Sequence, residues 1–465
     1  MGELRELRYI DSMGSWDELN RLNLCFLGMA VMYDPPRDTA FKALSTMRTA
    51  GVKCFMVTGD HPSTAAAVAS HFGLIASRTS IVSLNMEAEK EQNLLSVIHC
   101  ETLSTLSDKK WDDILKQKAV VFARATPSHK LIIIKECRRR GEIVAVTGDG
   151  VLDAPALKEA NVGIAMDAWI KQWLEAEIFS GSAFAKEAAD MVYTDSDVKH
   201  IVDGIEEGRL LYANLKKTIA YTLAHMMPEL SAVMLAFTLG CPIGLGSLQV
   251  LSIDLITEIP PSIALTYEAG EKDIMCRSPR KTTSRLVSKA LLVYSYIFVG
   301  GIISVGCFIA YLFVFWGYDI TLRDLLHSNT IHWRPNAKVL VTSSGKQYTA
   351  EMQIFIHNQA KAAWHITLVM AQVFHFWLCT TRRISIFEHG IHNVVAIFAV
   401  LLEIFILNFM IYTPGINQWL GVQHPPAFVW FFCIPVGTVL IVFNETRKWF
   451  IRRHPFNNIV RAFKW

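Results

Sequence analysis

Ala145-Val146-Thr147-Gly148-Asp149-Gly150-Val151-Leu152-Asp153-Ala154-Pro155 is the stretch whose reading decides the fold. An apolar strand, Ile143–Val146, runs into Thr-Gly-Asp, and a helical segment follows. A strand that ends this way presents a hydroxyl and backbone N–H groups at a sheet edge, where an anion can be cradled. Asp149 and Asp153, on a tight turn entering a helix, offer the hard oxygen ligands of a divalent cation site. A second Thr-Gly-Asp, Thr58-Gly59-Asp60, ends the strand Lys53–Val57. Lys130, after Arg124-Ala125-Thr126-Pro127, is placed to neutralise a phosphoryl oxygen. One Gly-Asp pair alone reads as a turn. Two Thr-Gly-Asp sites at strand ends, preceded by Asp34-Pro35-Pro36-Arg37, read as phosphate-handling loops.

Outward from these loops the chain alternates. Leu24–Val31 is a short apolar run suited to a strand buried on both faces. Helices are expected over 38–50, 61–72 and 128–140, and further strands over 53–57, 120–123 and 143–146. Repeats of this length predict an α/β domain over 21–214 with a parallel, doubly wound sheet. Residues 1–20 are a mixed polar N-terminal segment, and 77–118 read as an irregular excursion from the core.

After Asn214 the character changes. Apolar stretches at 218–240, 243–265, 290–316, 362–380, 394–412 and 427–444 each approach the ~20 residues a helix needs to cross hydrocarbon. Arg277, Arg280, Lys281, Arg285 and Lys289 follow the second, Arg382 and Arg383 the fourth, and Arg447, Lys448, Arg452 and Arg453 the sixth. Residues 240–243 and 413–426 carry no Lys or Arg. The positive-inside rule then places both termini in the cytoplasm, with six spans in the bilayer and 317–360 outside. The basic residues of that loop are a mild exception, and the Asn444-Glu445-Thr446 sequon falls on the cytoplasmic side. The basic tail at 447–464 reads as an anchor near anionic headgroups.

Composition narrows the classes. A net charge of +3 without a basic run interleaved with aromatics gives no sign of nucleic-acid binding. The nine cysteines form no CxxC pair, which fits reduced thiols and not a disulfide frame. The start, Met1–Glu6, has no apolar region of a signal peptide. Within the spans, Glu229, Asp254, Glu258 and Glu403 are carboxylates where a charge costs at least about 2.5–3.5 kcal/mol. Asp254 and Glu258 share one helix face. Pro228, Pro260 and Pro261 free backbone carbonyls beside them. Such a set fits a dehydrated monovalent cation site; the plainer reading is protonated or paired carboxylates in a packed bundle.

Asn23–Arg37, Met56–Pro62, Val121–Lys135 and Ala145–Lys158 resemble the phosphorylation domain of P-type cation ATPases. Glu206-Glu207-Gly208-Arg209 and Asn214–Leu223 narrow the resemblance to the sodium/potassium and proton/potassium pump alpha subunits. It implies an α/β haloacid-dehalogenase-like (Rossmann-type) cytoplasmic domain followed by an all-α six-helix transmembrane bundle over 215–465, in the plasma membrane. It also implies that Thr58, Gly59 and Asp60 bind phosphate, that Lys130 offsets its charge, that Asp149 and Asp153 hold magnesium, and that Asp34 and Arg37 lie near nucleotide. Glu229, Asp254, Glu258, Gln372 and Glu403 become the cation ligands, for sodium or potassium. Ser344–Tyr348 is a weakened form of the stretch where family members meet a beta subunit.

The departures from that family are specific. Its phosphorylated Asp-Lys-Thr-Gly does not occur in these 465 residues, nor do its actuator and nucleotide-binding domains or its first four helices. The expectation is therefore a chain without a catalytic residue, with ATP not bound productively. Leu152 stands where the family has Asn, removing a hydrogen-bonding partner of a kind worth ~10–100-fold at metal sites. An insertion with Trp169 and Trp173 occupies 167–180. Met226 and His375 replace an Asn and an Asp that bear oxygen ligands. His225 replaces Ser or Lys and reads either as a pH-dependent positive charge or as an ordinary hydrogen-bonded bundle histidine. Three interpretations follow: part of a working pump, a non-catalytic partner of a beta subunit or an intact alpha subunit, or assembly in trans with a separate N-terminal half.

Overall fold

The computed structural model describes residues 37–75, 97–166, 169–170, 178–179, 182–194 and 197–454. The expected strand at 24–31, Asp34 and the end of the basic tail lie outside them. Residues 1–38 and 39–465 form two separate units.

The α/β elements are α1 (Asp38–Thr49), β1 (Cys54–Val57), α2 (Pro62–His71), β2 (Val97–His99), α3 (Asp108–Lys116), β3 (Ala119–Ala123), α4 (Pro127–Arg139), β4 (Ala145–Gly148), α5 (Ala154–Glu159), β5 (Val162–Met166), β6 (Trp169–Ile170), β7 (Ile178–Phe179), α6 (Ala183–Ala188) and β8 (Met191–Tyr193). The alternation expected from the sequence is present, and the main strands are parallel. They fall into two three-stranded sheets among the described residues, ordered β1-β3-β2 and β4-β5-β8. The central strand β3 is buried from Val120 to Ala123, as a strand covered on both faces must be.

Two expectations change. The strand placed at 143–146 is β4, two residues later, because its pairing with β5 continues through Thr147↔Ile164 and Gly148↔Ala165. Of the supposed excursion at 77–118, residues 97–118 hold ordered core, and 77–96 lie outside the described residues. The segment Asp108–Lys116 sets Trp111, Ile114 and Leu115 on one helical face, and these pack with Ile98, Val120, Phe122, Ile133 and Cys137. Its charged opposite face had hidden the apolar one. Within the insertion, β6 and β7 pair antiparallel, with Trp169 opposite Phe179.

Among the described residues, six helices are long and apolar enough to cross a membrane, the first to sixth spans: Lys199–Leu239, Ser247–Tyr267, Lys289–Gly317, Ala350–Cys379, Val394–Tyr412 and Ala427–Arg453. The first begins well before the expected residue 218, as one 41-residue helix running out of the α/β part. The fourth begins at Ala350 instead of 362, since its first turns bury Gln353, Ile356 and His357 despite their mixed polarity. Buried aromatics fix the bundle by their polar ends: Tyr311 donates to the Pro242 carbonyl and Tyr294 to Asn444 Oδ1, both at 2.6 Å. Asn444 of the sequon is thus enclosed. In the loop between the third and fourth spans, Leu340–Val341 pairs with Gln347–Tyr348, and Tyr348 donates to the Tyr318 carbonyl at 2.5 Å.

Trp111→Ala is expected to destabilise the β1-β3-β2 half of the α/β part by about 3–5 kcal/mol, the usual cost of emptying a large aromatic site. Limited proteolysis read against urea should show earlier cleavage near 97–123 with the membrane helices unaffected.

Candidate functional site

At the end of β1, the Thr58 N–H donates to the Phe122 carbonyl at 2.9 Å, and its own carbonyl accepts from Ala125 at the same distance. Arg124 N–H donates to the Asp60 carbonyl at 3.0 Å. The Thr58 hydroxyl accepts from Asp60 N–H at 3.2 Å. The loop is therefore zipped onto 122–125, with Arg124 in the left-handed region (φ 55°). Gly59 and Asp60 stay exposed.

The second loop is tighter. A Cβ on Gly148 would lie 2.6 Å from Asp153 Cβ, so only glycine fits. The Asp153 carboxylate pairs with Lys130 Nζ and accepts from Gly150 N–H at 3.4 Å. Asp149 is exposed, and its carbonyl accepts from Ser182 N–H at 2.9 Å. Leu152 is 65% exposed and offers no ligand. Thr126 caps α4 by accepting from His129 N–H at 3.4 Å, which holds Lys130 over the turn. The structure brings Lys130 to Asp153. No hydrogen bond or ion pair among the described residues joins the two Thr-Gly-Asp loops, which end different sheets. Arg37 is exposed just before α1.

A charged joint was not singled out from the sequence. The Arg209 guanidinium, in the N-terminal part of the first span's helix, donates to the carbonyls of Ile274 (3.0 Å), Arg277 (2.9 Å) and Ala50 (2.9 Å). The loop it grips is closed by Arg277, which pairs with Glu271 and Asp273. Arg382 N–H donates to Glu271 Oε1 at 2.6 Å. Burial pushes the Glu271 carboxyl up, but Arg277, the Arg382 N–H and Lys217 outweigh it, and the net value lies below the ordinary 4.5. Burial draws the Arg382 guanidinium down to about 10 against the pull of Glu271. Its only signal in the sequence was the density of charge around 268–283.

In the bundle, His225 and Glu229 sit on the first span and Asp254 and Glu258 on the second. Residues Ile253–Thr257 form a π turn, with Glu258 N–H donating to the Ile253 carbonyl at 3.0 Å. His225 Nε2 lies 2.9 Å from Asp254 Oδ1 and 4.0 Å from Glu229 Oε2, and Nδ1 lies 2.6 Å from Glu258 Oε2. The histidine is thus the centre of the carboxylate group. Pro228 lacks the N–H that would pair with the Ala224 carbonyl, and a Cβ on Gly300 would come within 3.0 Å of that oxygen. Glu403, on the fifth span, is buried within Coulombic reach of Glu258. Gln372 is buried on the fourth span. Buried oxygens without a hydrogen-bond partner include Glu229 Oε1, Glu258 Oε1, Glu403 Oε2 and Gln372 Oε1. Met226 is exposed, with Tyr296 OH 3.4 Å from its sulfur. His375 packs among Tyr221, Tyr294 and Cys379, so neither supplies an oxygen.

An α/β head with phosphate-type loops joined to a carboxylate-bearing bundle defines a class, and sequence comparison agrees with it. Residues 15–161 match the haloacid dehalogenase-like hydrolase model, and 242–450 match the cation transporting ATPase, C-terminus. The chain belongs to the P-type cation-transporting ATPases and corresponds to the C-terminal part of their alpha subunits. It is 39% identical over 455 residues to human sodium/potassium-transporting ATPase subunit alpha-4, covering 94% of this chain and 43% of that protein. Human subunit alpha-2 is 38% identical over 453 residues, with the same coverage. The rat alpha-4 subunit is 38% identical over 445 residues. The chain thus spans less than half the length of these relatives.

Because the Glu271 value is depressed in the folded state, its stabilisation is fully present above the unfolded carboxylate value and is lost as pH falls through the folded one. Fluorescence-monitored unfolding should weaken on acidification below pH 4.5, and Glu271→Gln should lower stability at neutral pH while flattening that acid limb. At the second loop, Lys130→Met releases the Asp153 carboxylate. Manganese affinity, read by the EPR signal of free ion, should rise about tenfold, equivalent to ~1.4 kcal/mol. An unchanged affinity would mean that Lys130 does not limit the turn.

Proposed function

We propose that this chain handles monovalent cations in the manner of a sodium/potassium pump, through Glu229, Asp254, Glu258, Gln372 and Glu403, and does not phosphorylate itself. The observation that carries this reading is the set of buried, unpartnered oxygens on Glu229, Glu258, Glu403 and Gln372. A buried polar group left unsatisfied costs about 1–3 kcal/mol, and ions or their water would supply the missing partners. The relatives' names, sodium/potassium-transporting, support the ion class.

For the cytoplasmic half, the reading is a phosphate-facing surface without a nucleophile. Asp-Lys-Thr-Gly is absent from the sequence, and phosphoryl transfer through an acyl phosphate needs an aspartate at that strand end. Magnesium fits poorly here. The Asp153 carboxylate is held by Lys130, the Leu152 side chain carries no oxygen, and of the turn's carboxylates Asp149 alone remains. Productive ATP use is not part of this reading. The plasma membrane, cytoplasmic termini and beta-subunit contact at Ser344–Tyr348 belong to the same proposal.

A second reading, a non-catalytic partner of another pump subunit, has its own support. The Asp254 side chain is 43% exposed, and exposed Leu255 and Ile259 flank it along the second span. A carboxylate facing lipid costs at least about 2.5–3.5 kcal/mol, which a covering helix from an intact alpha subunit would relieve.

Phosphoenzyme formation separates these readings from a self-sufficient pump. Membranes holding this chain alone are incubated with labelled ATP, magnesium and sodium, then acid-quenched. No hydroxylamine-sensitive label is expected on the 52.3 kDa chain; a label would overturn the non-catalytic part. Rubidium retention by the same membranes, lost in Glu403→Gln, tests the cation part separately.

A further inference from the structure

The imidazole of His225 changes what the membrane carboxylates can hold. Alkali cations are bound by oxygen, whereas imidazole with carboxylate suits zinc, copper, iron or nickel. His225, Asp254 and Glu258 each offer one ligand atom, and these lie within 4.8 Å of one another. We infer that these three side chains form a binding site for a transition-metal dication of the zinc class, with Glu229 as the next oxygen in reach.

The geometry supports a small ion. Zinc–ligand bonds of about 2.0–2.2 Å set neighbouring tetrahedral ligand atoms about 3.3 Å apart. The separations from His225 Nε2 to Asp254 (2.9 Å) and Glu229 (4.0 Å) bracket that spacing. On the other side of the ring, Glu258 lies 2.6 Å from Nδ1, yet Nδ1 makes no aligned hydrogen bond. Glu258 can therefore join the ion through one oxygen or orient the ring as carboxylates do behind metal-bound histidines.

A second, independent observation comes from the unpartnered atoms. His225 is 5% exposed and Glu258 7%, and Glu258 Oε1 and Glu229 Oε1 lack hydrogen-bond partners. The charge count points the same way. Two carboxylates against one imidazole at membrane depth are costly, and a dication neutralises both without requiring a proton on the ring. The π turn at Ile253–Thr257 is a distortion frequent at functional sites. Here it contains Asp254 and is capped by Glu258, on the segment that faces His225.

The inference shares carboxylates with the monovalent-cation reading but differs in the ion, and its test uses neither ATP nor transport. The full chain, purified in lipid nanodiscs with potassium present, is titrated with cobalt(II) and followed by ligand-field absorption, then back-titrated with zinc. One cobalt with low-symmetry ligand-field bands, displaced by zinc, is expected. His225→Gln and Asp254→Asn should each weaken it by more than about tenfold, the least that even partners outside a ligand set are worth. Gel filtration and tryptophan fluorescence report their folding, and the exposed His71→Gln serves as the control. Equal binding by the wild type and a folded His225→Gln would overturn the site. Displacement of cobalt by potassium would overturn the metal preference while leaving the monovalent reading standing, whereas failed rubidium retention with intact cobalt binding would do the reverse.

Discussion

Arg209 holds the two halves of this chain in register. Its guanidinium reaches three carbonyls on two separate segments, Ala50 after α1 and Ile274 and Arg277 in the loop following the second span. A planar fork of five donors suits such a task, and a lysine, with a single point charge, does not. Around it Ala43, Met47, Ala50, Val202, Ile274 and Met275 form an apolar cluster of their own. Gly51 approaches Ser278 and Pro279 so closely that a Cβ would meet Pro279 Cδ at 3.0 Å. Arg209 stands on the same helix as His225 and Glu229, so the joint and the bundle carboxylates share one element.

The loop beneath that joint keeps its charges by compensation. Arg277, Glu271 and Asp273 pair within a few residues of one another, and Arg382 adds a backbone donor from the end of the fourth span. Removing one member of a buried set is costly because the others lose their counter-charge. Glu268, one turn earlier, accepts from Asn393 and lies against His389. The rim of the bundle nearest the α/β part is thus tied by polar contacts, while its interior is tied by aromatic packing.

The two candidate sites differ in completeness. In the membrane, several elements contribute oxygens to one region, and many of these remain unpartnered. In the head, the charged groups have already satisfied each other: Lys130 takes Asp153, and the first loop is zipped to 122–125. A carboxylate committed to a lysine is a poor ligand for a second cation. The head reads as a phosphate-type scaffold at rest, and the bundle as a site still open to a ligand.

The sequence by itself determined the class. Strand–loop–helix alternation, two Thr-Gly-Asp ends and six apolar stretches are local patterns, and local patterns follow from side-chain periodicity and turn chemistry. It also marked Glu229, Asp254, Glu258 and Glu403, because a carboxylate in an apolar span stands out against its neighbours. Only the tertiary structure decided what those groups meet. The sequence marked His225 only as a departure from the resembled family, and its place between Asp254 and Glu258 depends on how the first span packs against a π turn in the second. The pairing of Lys130 with Asp153 joins positions from separate helices, and the Arg209 joint binds segments distant in the chain. The core role of 108–116 was concealed by its charged face. Contacts of this kind arise from packing between elements, which no short window of sequence encodes.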